Sequence, residues 1–347
     1  MLRFLTAGES HGRGLMAILE GLPAGLKIDN NFINEELSRR QKGLGRGARM
    51  RIEKDKAEIF SGIKDGVTLG SPIGILIKNK DFRIDILPEV FCPRPGHADL
   101  AGYLKYDFKD IRNVLERASA RETAARVAIG AICKIFLKEF AITIESKVVM
   151  LAGVLEKNLY IKKIKEAKEK KDTLGGIFEV VAKGVPPGLG SYVQWDRRLD
   201  ARLAYALISI PGIKAVEFGL GFGYAEKFGS EVHDAIYYNS QRGYFRKTNN
   251  AGGLEGGVSN GEDLVMRACM KPISTLLNPL DSVNILNKKS AKAQIERSDI
   301  CAVEPAAVIA ENIVAFILAD AFLEKFGADV LKEIKEGYRR YLKRVKK

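Results

Sequence analysis

The chain has 347 residues and a formal net charge of +13 at pH 7, long enough to bury a large core as one big domain or two moderate ones. Its composition is that of an ordinary soluble globular enzyme. No apolar run approaches the length of a membrane span, and no signal-peptide pattern precedes the first glycine loop, so a cytoplasmic protein with no membrane contact is expected.

In chain order, "RFLTA" predicts a short strand running into "GESHG" (Gly8–Gly12). That stretch has the letters of the G-x-S-x-G serine elbow, but only seven residues precede it. In the hydrolase fold the elbow follows several strands, and the acid and the histidine come later. A Glu-Ser-His trio between glycines instead lets backbone come close to a ligand. "NNFINEELSRRQ" predicts a helix capped by Asn30 or Asn31 and ending in Arg39 and Arg40. "KGLGRGARMRIEKD" is a glycine-arginine loop, and "AEIFSGIKDGVTLGSPIGILIKN" predicts two strands joined by a turn at Asp65-Gly66. Pro93 and Pro95 make the start of "CPRPGHADLAG" a loop.

"SARETAARVAIGAICKIFLKEF" opens with Ser119 and has Glu122 three residues on, a capping box, and predicts a helix to about Phe140. Apolar or alanine side chains cover nearly its whole circumference, which predicts burial on all sides. Its N-terminus, flanked by Arg117 and Arg121, is suited to an anion. Further on, "DRRLDARLAYALISI" reads as helix, "IKAVEFGLGFG" as strand into loop, and the glycine-rich "TNNAGGLEGGVSNGEDL" leads into a strand ending at Lys271-Pro272. "EPAAVIAENIVAFILADAFLEKF" predicts a second long apolar helix. "KGVPPGLG" (Lys183–Gly190) resembles "EGLPAGLK" (Glu20–Lys27), which suggests one domain over 1–347 with two pseudo-repeated lobes, about 1–150 and 151–347. No strand-helix alternation opens on a Rossmann glycine turn.

Cys92, Cys133, Cys269 and Cys301 are scattered singly, so neither a zinc site nor a disulfide framework is suggested and four buried, reduced thiols are expected, with no metal. The positive charge invites nucleic acid, but many lysines lie in two tracts, Lys157–Lys171 and Tyr338–Lys347, that read as solvated helix faces. Arg39, Arg40, Arg46, Arg49, Arg51, Arg94, Arg112, Arg117, Arg121 and Arg126 fall in or beside the early glycine-rich loops. That suits a small polyanion, because the guanidinium fork grips phosphate and carboxylate at two points.

"GESHG", "RRQKGLGRG", "RPGHAD", "RASARETAARVAIGA", "NNAGGLEGG", "KPIST" and "ERSDICAV" together resemble the chorismate synthase family, in order and over essentially the whole chain. The resemblance implies an α+β fold, a β-α-β sandwich with long internal helices between antiparallel sheets, and a homotetramer. It implies a 1,4-anti elimination of phosphate from 5-enolpyruvylshikimate 3-phosphate to give chorismate, a lyase step of the shikimate pathway toward aromatic amino acids. That reaction requires reduced FMN without net redox change, and NADPH in members that reduce their own flavin.

By match to the family, His11 protonates the departing phosphate, His97 sits by the flavin, and Asp299 partners the flavin nitrogen that accepts the ring proton. Ser10, Arg39, Arg46 and Arg121 face the substrate, and Arg40 and Arg46 match positions assigned to the nicotinamide dinucleotide phosphate. Arg117, Ala118, Ser119, Gly256, Lys271, Pro272, Ile273, Ser274, Thr275 and Arg297 match flavin contacts. His233 matches no motif. Three departures stand out: Pro211-Gly212 in place of Asn-Ala near the flavin, Ala118 where serine is frequent, and a longer segment 237–248, read as a surface loop or a cover over the cleft. Two other classes compete: a phosphate- or nucleic-acid-binding protein using the same arginines without catalysis, and a serine hydrolase at Ser10.

Overall fold

Alternation of side chains along short strands builds the first sheet of the computed structural model, which describes residues 2–47, 52–327 and 329–345; Arg49 and Arg51 lie outside these residues. Strands β1 (Arg3–Ala7) and β2 (Gly14–Glu20) form an antiparallel hairpin, joined by β3 (Glu58–Ile59) and β4 (Ile73–Lys78) in the order β1-β2-β4-β3. Leu15, Ala17 and Leu19 of β2 and Ile73, Ile75 and Ile77 of β4 are buried, while Met16 and Ile18 point to the outer face and are exposed, as a period of two requires. The turn at Asp65-Gly66 is present, with φ of +52° and +77°, but it joins strands of only two residues, Ile63–Lys64 and Val67–Thr68. At Gly62 (φ +83°) a side chain would meet the Pro72 carbonyl at 2.7 Å, so the chain bends there instead of continuing as one long hairpin.

Helix α1 (Asn30–Gln41) is capped one residue earlier than expected: the Asp29 carboxylate accepts from the Asn31 and Phe32 N–H groups. A carboxylate is the stronger acceptor at the positive end of a helix. Helix α2 (Thr123–Lys138) follows a 3₁₀ turn at Ala120–Glu122, with the Ser119 hydroxyl accepting from the Arg121 N–H. Glu122 turns to Arg126 at 2.8 Å, one turn along the helix. The helix stops two residues short of Phe140, and the chain leaves through Ala141 at φ +58°.

The second half repeats the pattern. Strands β5 (Thr143–Leu151), β6 (Gly176–Lys183), β7 (Ile213–Phe218) and β8 (Leu264–Met270) pair in the order β5-β6-β8-β7, the same order as the first sheet, and helix α3 (Val303–Phe326) follows. Helix α2 packs on β2 and β4, helix α3 on β5 and β6, and the two helices pack on each other. The fold is therefore α+β, with helices held between antiparallel sheets.

Helix α3 corrects one expectation. It is long and apolar enough to cross a membrane, contrary to the reading that no run approaches that length. Nearly all of it is buried inside the protein, because α1, α2, the second sheet and the helix Leu199–Ile208 surround it; a helix apolar on every side needs such neighbours. Fully buried Phe136, Phe178 and Phe322 each contribute about 1.5–3 kcal/mol.

Helices α2 and α3 cross where Gly130 meets Asn312: a β-carbon on Gly130 would lie 2.3 Å from the Asn312 carbonyl oxygen. Beside this crossing Asn312 donates to Glu36 (2.8 Å), and Lys134 bridges Glu36 and Glu311 at 2.7 and 2.5 Å.

The lysine tracts lie on the helices Lys157–Glu169 and Leu331–Val345, with Glu166 held between Lys163 and Lys170. Residues 346 and 347 lie outside the described residues. The expectation of four buried thiols is corrected at two positions: Cys133 and Cys301 are buried, Cys92 and Cys269 only partly. Cys269 alternates with buried Ala268 and Met270 on β8 and so points to the outer face.

Candidate active site

A cleft of about 290 Å³ opens at the N-terminal end of α2. It gathers loops from across the sequence: the β1–β2 turn with Ser10 and His11, the arginines Arg40 and Arg46, the loop with Arg94 and His97, and the segment Ala118–Arg121. From the second half come Pro211 and Gly212, Lys271 to Thr275, and Glu296 to Asp299. Leu115, Ile210, Met270, Ala302 and Ile309 give it an apolar wall.

The "GESHG" stretch is the loop of an antiparallel hairpin, followed by a strand, and not the strand-to-helix elbow of a hydrolase. Its Ser10 N–H donates to the Glu116 carbonyl at 2.9 Å, and Ser10 itself is buried. His11 lies between two carboxylates. Its Nδ1 is 2.9 Å from Glu116 Oε1, its backbone N–H donates to Glu116 Oε2 at 2.7 Å, and its Nε2 is 3.8 Å from Asp81 Oδ2. Burial opposes ionisation of Glu116, but the hydrogen bonds from the His11 ring and backbone outweigh it and hold the carboxyl below its ordinary value.

His97 is held in a second polar cluster. Its Nδ1 is 2.5 Å from Asp99 Oδ1, and Asp99 accepts from the Arg94 backbone N–H (3.0 Å) and Nε (2.8 Å). Arg94 continues to the Thr275 hydroxyl at 2.7 Å. Asp99 is fully buried. Its desolvation is overcome by these bonds from His97 and Arg94, which push the carboxyl well below the usual carboxylate range.

The arginines are paired, yet incompletely. Arg121 grips Asp55 through Nη1 (2.6 and 2.7 Å) and Asn79 through Nε (2.9 Å), and its Nη2 is 3.8 Å from Glu53. Arg40 donates to the Thr123 hydroxyl (3.0 Å) and the Ala120 carbonyl (2.8 Å). Arg46 pairs with Asp299, which also accepts from the Gly47 N–H at 2.6 Å. Among the described residues, Arg40 Nη1, Arg46 Nε and Arg121 Nη2 are buried without a hydrogen-bond partner. Desolvation lowers the Arg40 pKa to about 10 despite the partial compensation by Asp55, and burial likewise lowers that of Arg46 against the pull of Asp299. Buried cationic donors left unpaired are costly. An anion that reached these nitrogens would relieve that cost.

On the opposite wall the Lys271 ammonium donates to the Ser274 hydroxyl (2.6 Å), which donates to the Gly96 carbonyl (2.8 Å). Burial, with Lys214 and Arg94 nearby, lowers the Lys271 pKa. Arg297 reaches Asp81 at 3.1 Å, which links this wall to the His11 side.

Of the residues singled out from sequence, Ser10, His11, Arg40, Arg46, His97, Ala118, Ser119, Arg121, Lys271, Pro272, Ile273, Ser274, Thr275, Arg297 and Asp299 line this one cleft. Three do not. Arg39 is spent on Glu36 and Glu311 in the helix network. Arg117 donates to the Gly8 and Thr6 carbonyls and pins the hairpin. Gly256 stands in the turn between Leu254–Glu255 and Val258–Ser259, where nothing lies within 4 Å of an added β-carbon. The longer segment forms an exposed hairpin, Ile236–Asn239 with Gly243–Arg246, apart from the residues lining the cleft.

Sequence reading assigned no role to Glu116, Asp99, Asp55 or Asn79. The R-x-x-H-x-D spacing of "RPGHAD" carried a signal for Asp99. Asp55 and Asn79 carried none, because only the fold brings them to Arg121.

The sequence profile described as chorismate synthase matches residues 2–323. A chorismate synthase of Thermoanaerobacter pseudethanolicus is 57% identical over 348 residues, covering 99% of each chain. One from Geobacter sulfurreducens is 50% identical over 391 residues and covers the whole of both. A crystal structure of chorismate synthase superposes with a TM-score of 0.82 at 44% identity, covering 99% of this chain and 98% of that one. With its profile, full-length relatives and fold in agreement, the chain belongs to the chorismate synthase family.

Proposed function

We propose that the cleft eliminates phosphate and a ring proton from 5-enolpyruvylshikimate 3-phosphate in the 1,4-anti sense, giving chorismate, with reduced FMN required but no net redox change. One observation carries this reading: Arg40, Arg46 and Arg121, each with a buried guanidinium nitrogen that has no hydrogen-bond partner, line the same cleft as His11. The substrate bears a phosphate and two carboxylates, and the guanidinium fork matches both groups.

The donor set also suits FMN. Lys271, Ser274, Thr275 and Arg297 offer charge and hydroxyls for a phosphate, and Ile210, Pro211, Met270 and Ile273 form an apolar wall for a ring system. Ala118, for which serine is frequent in the family, can contribute only through its backbone. Reduced FMN, when bound, would supply the electron-rich ring and the basic nitrogen that takes the substrate's ring proton.

The remaining steps belong to the chain. His11 hands a proton from Nε2 to the departing phosphate, acting as a general acid. His97, braced by Asp99, and Asp299, held by Arg46 and the Gly47 N–H, would hold the protonation state of the flavin when it is bound. Arg40 is 5% exposed, and so little accessible surface favours a small anion deep in the cleft over an external dinucleotide. NADPH enters only if the protein reduces its own flavin.

The identical strand order of the two sheets supports one domain of two pseudo-repeated halves. Exposed Leu5, Met16, Ile18 and Phe60 on the outer face of the first sheet support a homotetramer, since such apolar patches mark interfaces. We place the protein in the cytoplasm, without nucleic acid or membrane partners.

The test mixes the protein anaerobically with the substrate and photoreduced FMN while chorismate absorbance and phosphate release are followed together. Equal amounts of both, absent without reduced flavin, are expected; binding of substrate and flavin with no product would overturn the reading.

A further inference from the structure

We infer that Glu116 is the positioning residue that fixes the tautomer of His11, holding the proton on Nδ1 and leaving Nε2 as the atom that exchanges a proton with the substrate. The inference deepens the functional reading above and rests on it for the role of His11.

Glu116 takes three hydrogen bonds from two consecutive residues of the β1–β2 loop. Its carbonyl accepts from the Ser10 N–H at 2.9 Å, its Oε2 accepts from the His11 N–H at 2.7 Å, and its Oε1 lies 2.9 Å from His11 Nδ1. The carboxylate is 3% exposed, so water does not compete for the ring nitrogen. An ionised carboxylate only accepts hydrogen bonds. A neutral His11 beside it must therefore carry its proton on Nδ1.

The other groups facing the ring agree with this. Asp81 Oδ2 stands 3.8 Å from Nε2, beyond hydrogen-bond distance, and the Asp81 carboxylate is engaged by Arg83 at Oδ1 (2.6 Å) and by Arg297 at Oδ2 (3.1 Å). Arg112, on the same short helix as Glu116 (Arg112–Arg117), is committed to the Pro88 carbonyl and Glu296. Nε2 thus stays available on the cleft side. The arrangement parallels the way a carboxylate orients a histidine that acts as base or metal ligand.

The protein has three histidines, His11, His97 and His233, so selective ¹⁵N labelling of histidine resolves each ring, with His11→Gln assigning its signals. The wild-type spectrum, taken where the ring is neutral, is expected to show His11 protonated at Nδ1. In Glu116→Gln, whose amide can donate as well as accept, that tautomer should give way to a mixture. Turnover should fall about 10- to 100-fold, the cost typical of losing a ring-orienting partner, with KM changed less than threefold.

A wild-type ring protonated at Nε2 overturns the inference without any variant. So does a Glu116→Gln protein that keeps both the Nδ1 tautomer and full turnover. The functional reading fails separately, if His11→Gln retains turnover while the tautomer shift in Glu116→Gln stands.

Discussion

Replacing Gly130 by alanine in the middle of α2 poses a question of sign. Alanine is favoured over glycine in a helix interior by about 1 kcal/mol, so local propensity predicts a more stable protein. The crossing with α3 predicts the reverse. The new β-carbon would lie 2.3 Å from the Asn312 carbonyl oxygen, 2.4 Å from its β-carbon and 2.5 Å from its carbonyl carbon, whereas packed atoms settle at about 3.5–4.0 Å. The obstacle is backbone, so no rotamer change relieves it, and the helices must part by about 1 Å. Overpacking of this kind costs about 1–3 kcal/mol, at times more. The loss is compounded because Asn312 also donates to Glu36 of α1 beside the crossing. The net expectation is a destabilisation of about 2 kcal/mol, read as a lower urea midpoint at unchanged slope. Because Arg121 and Thr123 sit at the cleft end of α2, substrate affinity should fall in the same variant. A raised midpoint would refute the reasoning and mean that the two helices adjust freely.

Arg121→Lys keeps the charge but loses the fork that spans Asp55 and Asn79; losing one charge-assisted hydrogen bond of about 1.5–3 kcal/mol to the substrate predicts binding about 10- to 150-fold weaker by calorimetry, and a change within twofold would contradict it. Glu116, Asp99 and Glu311 all have folded-state pKa values below their ordinary ones. The stability they contribute is complete above the unfolded value of about 4 and is lost as pH falls through each folded value. Thermal unfolding should therefore vary little between pH 7 and 5 on their account and fall below about pH 4, with a shallower fall in Glu311→Gln. The Cys301 thiol is pushed up to about 11, chiefly by burial, and burial raises the Cys133 thiol as well. A disulfide reagent at pH 8 should modify partly exposed Cys92 and Cys269 first, which peptide mass mapping will check.

Periodicity exposed the two long helices because their patterns are long: α2 and α3 are apolar round most of their circumference, and only a buried position suits that. Strands β1, β7 and β8 were legible as short apolar runs beside glycine or proline loops, β2, β5 and β6 were not read, and the expected long hairpin is broken where Gly62 and Pro72 bend the chain between short pairs. The cleft was legible in part for a different reason. Residues such as His11, His97 and Arg46 stand in glycine or proline loops, where polar side chains are not needed for packing. Arg39 and Arg117 stand in equally suggestive company, yet their forks are taken up by Glu311 and by the Thr6 and Gly8 carbonyls. Nothing local distinguishes an arginine that binds a ligand from one that binds the fold. That difference depends on whether a carboxylate arrives from elsewhere in the chain and how many guanidinium nitrogens it satisfies.

That count also accounts for how a cleft so rich in arginine is stable before any ligand arrives. Arg94, Arg46 and Arg121 each have a carboxylate within 3 Å: Asp99, Asp299 and Asp55. Arg40 stands 3.6 Å from that same Asp55. Without these partners the guanidinium groups would repel one another in a poorly hydrated space, at several kcal/mol per unpaired buried charge. With every nitrogen satisfied, an incoming anion would have to break bonds as good as those it makes. The cleft lies between these limits: the carboxylates hold the forks and offset part of their desolvation, while Arg40 Nη1, Arg46 Nε and Arg121 Nη2 have no hydrogen-bond partner. An anion that reached these nitrogens would draw its binding energy from completing a set of donors already held by the fold. Asp55→Asn separates the two roles. It should weaken substrate binding even though the carboxylate it removes would repel an anion, because Arg40 and Arg121 lose the partner that aims them; tighter binding in that variant would show that Asp55 only opposes the substrate's charge.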